Sequence, residues 1–261
     1  MDVGIRTLAE QDINTLSTSK QTQFGAKGMT EDGRAYRYVS FGGTSTVAPG
    51  QLVTSPVITN TTAGFQGLTI TAVGTGGQVT ANLATGSTQV VVTNGATAIT
   101  QDQFAEGFLD VLVGALGITS SASYRIKGNT AAAASATFTV YLAEALRNTT
   151  NLVPGTDTVN CQVSPYSAVI TSSSAASPVG VTVMPVPNTA SVTNYGWVQV
   201  GGPATVVNDS GAIITAGGSF GQSVTTAGAV VTATASTRPI IGYARVAMPV
   251  SAVSPVWLTL N

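Results

Sequence analysis

Asp102, Glu106 and Asp110 recur at every fourth position, a spacing that on a helix lines three carboxylates along one face. Paired carboxylates can share acid and base work, and a cluster of three can hold a hard cation. The same spacing describes the solvent face of an amphipathic helix, which needs no chemistry. Glu31-Asp32-Gly33 and Asn208-Asp209-Ser210-Gly211 offer turn oxygens suited to calcium, yet neither has the ligand spacing of a calcium loop. The chain contains no histidine, which removes imidazole bases, Ser-His-Asp triads and histidine-based metal centres. Its single cysteine, Cys161, has no partner for an internal disulfide. No basic residue lies within a dozen positions of it to lower its pKa, so it reads as a small buried apolar side chain. Glycines are plentiful, but no phosphate loop with Gly-Lys-Ser/Thr and no dinucleotide fingerprint occurs. The expectation is a protein that is not an enzyme, with no catalytic, cofactor-binding or metal-binding residues and no cofactor.

Two basic pairs sit beside aromatics: Arg125 and Lys127 next to Tyr124, and Arg34 and Arg37 around Tyr36. Either could meet an acidic or nucleic partner. In a chain of net charge -1 with 8% charged residues, they read more simply as rim or salt-bridge residues at a subunit contact. Direct nucleic-acid contact is not expected. Hydrophobic residues reach 43% while aromatics are 6%, so the core must be built from Val, Ala, Thr, Ile and Leu. So few charges suit a permanent assembly whose surface is covered by neighbours. They also suit an extracellular β-domain solubilised by Thr, Ser, Asn and Gln, and composition does not separate the two.

The elements that must position these residues read as strands. In Arg34-Ala35-Tyr36-Arg37-Tyr38-Val39-Ser40-Phe41 the period is two, with Tyr36 and Tyr38 on one face and Val39 and Phe41 on the other. Leu68–Val73 and Gln89–Thr93 repeat the style, the latter ending at Asn94-Gly95, a strong hairpin-turn signal. Ser123–Asn129, Thr137–Leu142, Thr158–Val163, Ser167–Ile170, Tyr195–Val200, Ala204–Val207, Ala229–Ala233, Ile240–Val246 and Pro255–Leu260 follow. Gly201-Gly202-Pro203 is expected to break the strand that starts at Tyr195. Thr100–Leu116 is ambiguous. Thr100 with Gln103 forms a capping box and Phe104, Phe108, Val111 and Leu112 form a helical stripe, but Gly107 and Gly114 oppose a helix and the same residues also alternate. Locally the helix is slightly favoured.

Ten of the charged residues fall within the first 37 positions. Residues 1–33 carry only isolated apolar side chains at Ile5, Leu8, Ile13, Leu16 and Phe24, too few for a core. They are expected either as an extended arm ordered by contact with another molecule or as a segment packed on its own domain, the arm being favoured. Residues 34–185 are expected as a β-rich domain and 186–261 as a C-terminal β-barrel or sandwich. Tyr38–Thr44 and Val198–Pro203 share a layout. It suggests two related domains, one barrel completed by strands from 34–55 around an insertion, or coincidence. The fold class expected is mainly β, with antiparallel β-barrel or sandwich domains and an extended N-terminal arm. The N-terminus has no signal-peptide core, and no apolar run approaches the length of a membrane helix.

Gly33–Val39, Gly42-Gly43 and Ala48–Val53 together resemble the opening strand pair of tailed-bacteriophage capsid decoration, or head cement, proteins. Three further pieces resemble that family in the same order. They are Phe104–Leu109 leading to Tyr124–Asn129, then Tyr141-Leu142 and Leu146 with Pro165-Tyr166, and finally Tyr195–Ala204. The resemblance implies a β-rich structural module, often trimeric, bound outside an icosahedral shell and bridging capsid subunits. It further implies that Phe104–Val113 is a strand, the reading adopted here. Its partners would be the major capsid protein and further copies of itself as a homotrimer, without membrane or nucleic acid. It would be made in the host bacterial cytoplasm and placed on the capsid exterior of the virion. Many decoration proteins are much shorter, which leaves open a major shell, tail or fibre component, and behind these a surface carbohydrate-binding β-domain. An arm of this kind predicts that removing Met1 to about Lys27 leaves a folded protein that no longer decorates shells.

Overall fold

The computed structural model describes residues 4–42, 46–56, 64–70, 74–75, 78–79, 85–113, 120–147, 158–171, 176–187, 192–209, 211–233 and 239–260. The protein is mainly β and divides into two units, Met1–Pro56 with Pro165–Asn261, and Val57–Ser164. The first unit opens with β1 (Arg6–Thr7), α1 (Glu10–Ile13), β2 (Lys27–Met29), β3 (Ala35–Phe41) and β4 (Leu52–Thr54). The second holds β5 (Gly64–Ile70), β6 (Gly74–Thr75), β7 (Gln78–Val79), β8 (Gln89–Thr93), β9 (Phe108–Val113), β10 (Ser120–Asn129), β11 (Thr137–Leu142) and β12 (Thr158–Gln162). The first resumes with β13 (Pro178–Thr182), β14 (Asn194–Val207), β15 (Ser219–Gln222), β16 (Val230–Thr232), β17 (Gly242–Ala244) and β18 (Val253–Thr259). The chain therefore does not divide at 33/34 or 185/186. Residues 165–185 belong with the first unit, because β13 pairs β4 and β14.

In the second unit β10, β11, β8, β5, β12 and β9 pair in a closed ring. Period-two alternation sends Phe138, Val140 and Leu142 of β11 inward, where they meet Val90, Val92, Leu109, Val111, Tyr124, Ile126, Val159 and Cys161. Asn94-Gly95 does not make a two-residue hairpin. The strand it ends, β8, pairs with β11 and β5, and buried Asn94 instead organises a loop. Its Nδ2 donates to Thr97 O and Ala133 O, and its Oδ1 accepts from Ala136 N.

The helix that the local signal slightly favours over Thr100–Leu116 is absent from its described part, and Phe108–Val113 is a strand, within the Phe104–Val113 strand reading adopted from the resemblance. Gln103 Oε1 does accept from Thr100 N (3.0 Å), the capping contact that the sequence signals. The chain then turns instead of winding, with positive φ at Asp102 and Glu106. A distant residue overrides the local signal. The buried Asn129 accepts from Phe104 N (2.9 Å) and donates to Thr100 O (3.0 Å), holding the turn against the end of β10. The strand starts only at Phe108, not at Phe104.

The first unit is one sheet in the order β1-β2-β3-β14-β18-β17-β15-β16, with β13 joining β14 to β4. Its centre is β14, which pairs with β3 from Asn194 to Gly201 and with β18 from Gly201 to Val207. Gly201-Gly202-Pro203 does not break this strand. The register shifts between Gln199 and Gly201, and Gln199 Nε2 spans the bulge to Gly201 O and Pro203 O. Pro203 lies beyond the last β3 pair, on a stretch paired on one side, where proline is tolerated.

Both faces of β3 are covered. Val39 and Phe41 join Val53, Val169, Val179 and Val198, while Tyr36 and Tyr38 join Trp197, Leu8 and Ile13. Residues 4–33 are thus packed on their own unit and are not a free arm. Leu8 and Ile13, isolated in sequence, bury against an aromatic platform, each worth roughly 1.5–3 kcal/mol, and β1 joins the sheet edge through β2.

Candidate assembly surface

The sequence candidates for chemistry do not converge. Asp102 and Glu106 sit in the turn, and Asp110 is on β9, where it accepts from Ser123 Oγ (2.6 Å) and Gln162 Nε2 (2.6 Å). Asp102 Oδ1 accepts from Asn129 N (3.2 Å). The three carboxylates therefore share no helical face, and among the described residues no group of three acids or cysteines is placed to hold a metal ion. Asp32 is bound by the Thr30 hydroxyl and by Arg34, and these hold its carboxyl below the usual range. Asn208 and Asp209 are buried, and Ser210 lies outside the described residues. Asp209 accepts from Ser223, Thr225 and Thr226 hydroxyls, while Asn208 Nδ2 donates to Ala212 O, Met248 O and Pro249 O. Both anchor loops.

The basic pairs also separate. Arg34 pairs with Glu10 and Asp32 and donates to Tyr36 Oη (3.1 Å). Arg37 donates to Gly25 O (3.1 Å) and lies over the Tyr166 ring. Tyr124 points into the barrel, away from the exposed Lys127. Cys161 is fully buried in the barrel, and burial, followed by the nearby Asp110 charge, pushes its thiol pKa up. Such a thiol is inert.

What the first unit does present is an apolar strip. Along β18 the side chains of Val253, Pro255, Trp257 and Thr259 face out, while Ser254, Val256 and Leu258 face the core. Register places Trp257 directly opposite Tyr243 of β17 on one side and Pro203 of β14 on the other. Pro255 lies opposite the exposed Thr205. Trp257 is 50% exposed, Tyr243 45% and Val253 59%. Val246 and Val250, in the segment joining β17 to β18, are exposed too. Charge is almost absent from this part of the chain: from Pro165 to Asn261 only Asp209, Arg238 and Arg245 are charged. A three-strand strip centred on half-exposed Trp and Tyr is the kind of surface that a partner protein covers. Covering the rest of Trp257 alone would contribute about 2 kcal/mol.

The strip is not legible in the sequence. Pro255–Leu260 is legible as a strand, but its apolar residues occupy both parities, so the pattern does not say which face stays open. No helix among the described residues is long and apolar enough to cross a membrane.

No protein-family model matches the chain, no curated protein matches it, and no solved structure matches it.

Proposed function

We propose that the protein is a structural component of a tailed-phage virion that binds the outside of the icosahedral head and stabilises it by bridging capsid subunits. The strip centred on Trp257, in a nearly uncharged part of a β-rich chain, carries this reading. The resemblance of Gly33–Val53, Tyr124–Asn129 and Tyr195–Ala204 to head decoration proteins points the same way. The major capsid protein would cover the strip, and copies of this chain would associate as trimers. Weak contacts suffice in this setting, because shell symmetry presents many equivalent sites to a multivalent partner. On this reading no step of the activity is catalytic.

The test is occupancy on purified shells that lack the protein, read by co-sedimentation. Trp257→Ala and Tyr243→Ala should each weaken binding about tenfold or more, with thermal unfolding nearly unchanged because both side chains are half exposed. Unchanged occupancy in both variants would exclude this face. Electron microscopy of labelled virions adds location, and label on the tail in place of the head would overturn the decoration role.

A further inference from the structure

Among the described residues the strip on β17 and β18 holds one charge, Arg245, and register places it inside the strip and not at its margin. On β17 the buried Gly242 and Ala244 alternate with the exposed Tyr243, and the alternation runs on into the exposed Arg245 just past the strand end. Ala244 pairs with Val256, and Arg245 N donates to Pro255 O (3.3 Å), so Arg245 lies across from Pro255. Neighbours across a ladder stand about 5 Å apart, and same-face neighbours along a strand about 7 Å. Arg245 therefore has exposed Pro255 beside it, exposed Tyr243 next along its own chain, and exposed Val253 and Trp257 on the two diagonals. On the side of β15, Gly217 N donates to Ala244 O and Gly218 O accepts from Ala244 N, so that flank adds no side chain.

In the free protein the Arg245 guanidinium is an ordinary hydrated cation. Its position matters once the strip is covered. A partner that closes over Trp257, Tyr243 and Val253 also closes over the group between them and strips its water. A cation desolvated without a counter-charge is strongly unfavourable. The chain has no anion at hand: the other described charge after Pro165 is Asp209, which is buried and accepts from the Ser223, Thr225 and Thr226 hydroxyls. We infer that the strip reads a carboxylate: the shell segment that covers it carries an Asp or Glu set among apolar side chains, and Arg245 selects it. This rests on the shell-binding reading and adds the chemistry of the partner. An arginine fork holds both oxygens of a carboxylate while its plane lies against an aromatic ring, which lysine does not match. A wholly apolar or basic surface of the same shape is rejected by the desolvation it would impose. Trp257 and Tyr243 supply most of the attraction, and Arg245 sets the choice of partner.

The experiment is co-sedimentation of the full-length protein with purified shells that lack it, from about 50 to about 500 mM NaCl, a range over which exposed charges become screened. Wild-type binding should weaken with salt. Arg245→Ala should weaken it about tenfold at low salt and flatten the salt dependence, and Arg245→Glu, which sets two carboxylates face to face, about a hundredfold or more. Arg245→Lys should recover only part of the loss. The side chain is exposed, so all three variants should melt with the wild type. Unchanged affinity and salt dependence in Arg245→Ala and Arg245→Glu, with Trp257→Ala still releasing the protein, would overturn the inference and leave the shell-binding strip standing. Shells that retain Trp257→Ala and Tyr243→Ala at full occupancy would overturn both. Free protein that falls to a smaller oligomer with Arg245→Glu would put a second copy on the strip in place of the shell, and so overturn the inference as well.

Discussion

Tyr36 is enclosed between the N-terminal segment and the sheet, and burial pushes its pKa up to about 12. Arg34, which donates to its hydroxyl, only partly offsets this. The folded state thus holds the phenolic proton more tightly than the unfolded chain, where tyrosine titrates near 10. The stabilisation is complete below pH 10 and is lost as the pH rises toward 12. Tyr38, raised by burial as well, adds in the same direction. Denaturant melts between pH 8 and 12 should show this fall, and Tyr36→Phe should flatten it. A fall of equal depth in that variant would assign the loss elsewhere. The pairing of Tyr36 with Tyr38 on one face was legible from period two alone. What the sequence could not show is the residue that encloses them, since Leu8 and Ile13 lie more than twenty positions away with no pattern linking them. The same holds for the acidic stripe: Asp102, Glu106 and Asp110 suggested a helix until Asn129, on another strand, took the backbone groups that a helix would have used.

The N-terminal elements survive through packing and not through propensity. α1 has four residues and β1 two, far below what holds together alone in water. They stay because Leu8 fits above Gly28, where a Cβ would come within 2.3 Å of Leu8 Cδ1 and 3.0 Å of Trp197 Cζ3. Gly28→Ala should therefore expel Leu8 and destabilise the unit by about 1–3 kcal/mol. Hydrogen exchange would show it first at Leu8 N, which donates to Met29 O. Deleting Met1 to Lys27, harmless for a free arm, should instead bare Tyr36, Tyr38 and Trp197. We expect that truncated protein to melt earlier and to bind a hydrophobic dye. A melting temperature equal to that of the full chain would show that the segment contributes nothing to the fold. Strands with clean alternation, such as β11 and β12, were readable to within a residue of their ends. The run through Gly201-Gly202-Pro203 was not, because a bulge bridged by Gln199 is invisible until β18 is seen to pair beyond it.

At the scale of the whole molecule, the chain leaves the first unit after Pro56 and returns at Pro165. The two ends of that departure are already tied together. Thr54 and Ile170 exchange backbone hydrogen bonds at 2.8 and 3.1 Å, and Ser55 N donates to Ser177 O at 2.9 Å. Closing so short a gap costs little chain entropy, and an insertion between adjacent strands leaves the host sheet intact. Sequence rhythm alone could not place these boundaries, because the turn-and-strand pattern of the insert matches that of its host and neither Pro56 nor Pro165 marks a change in composition. The layout yields a sharp expectation. Replacing 57–164 by a short Gly-Ser linker should give a chain that keeps the clusters around Val39, Tyr36 and Phe220 and unfolds in one transition. If the strip on β14, β17 and β18 is what meets the shell, that shortened chain should still sediment with shells within about threefold of full-length affinity, the scatter expected of distant, independent parts. Loss of binding by a shortened chain that still folds would move the shell contact onto the barrel. That would leave Trp257 and Tyr243 to face another copy of the chain.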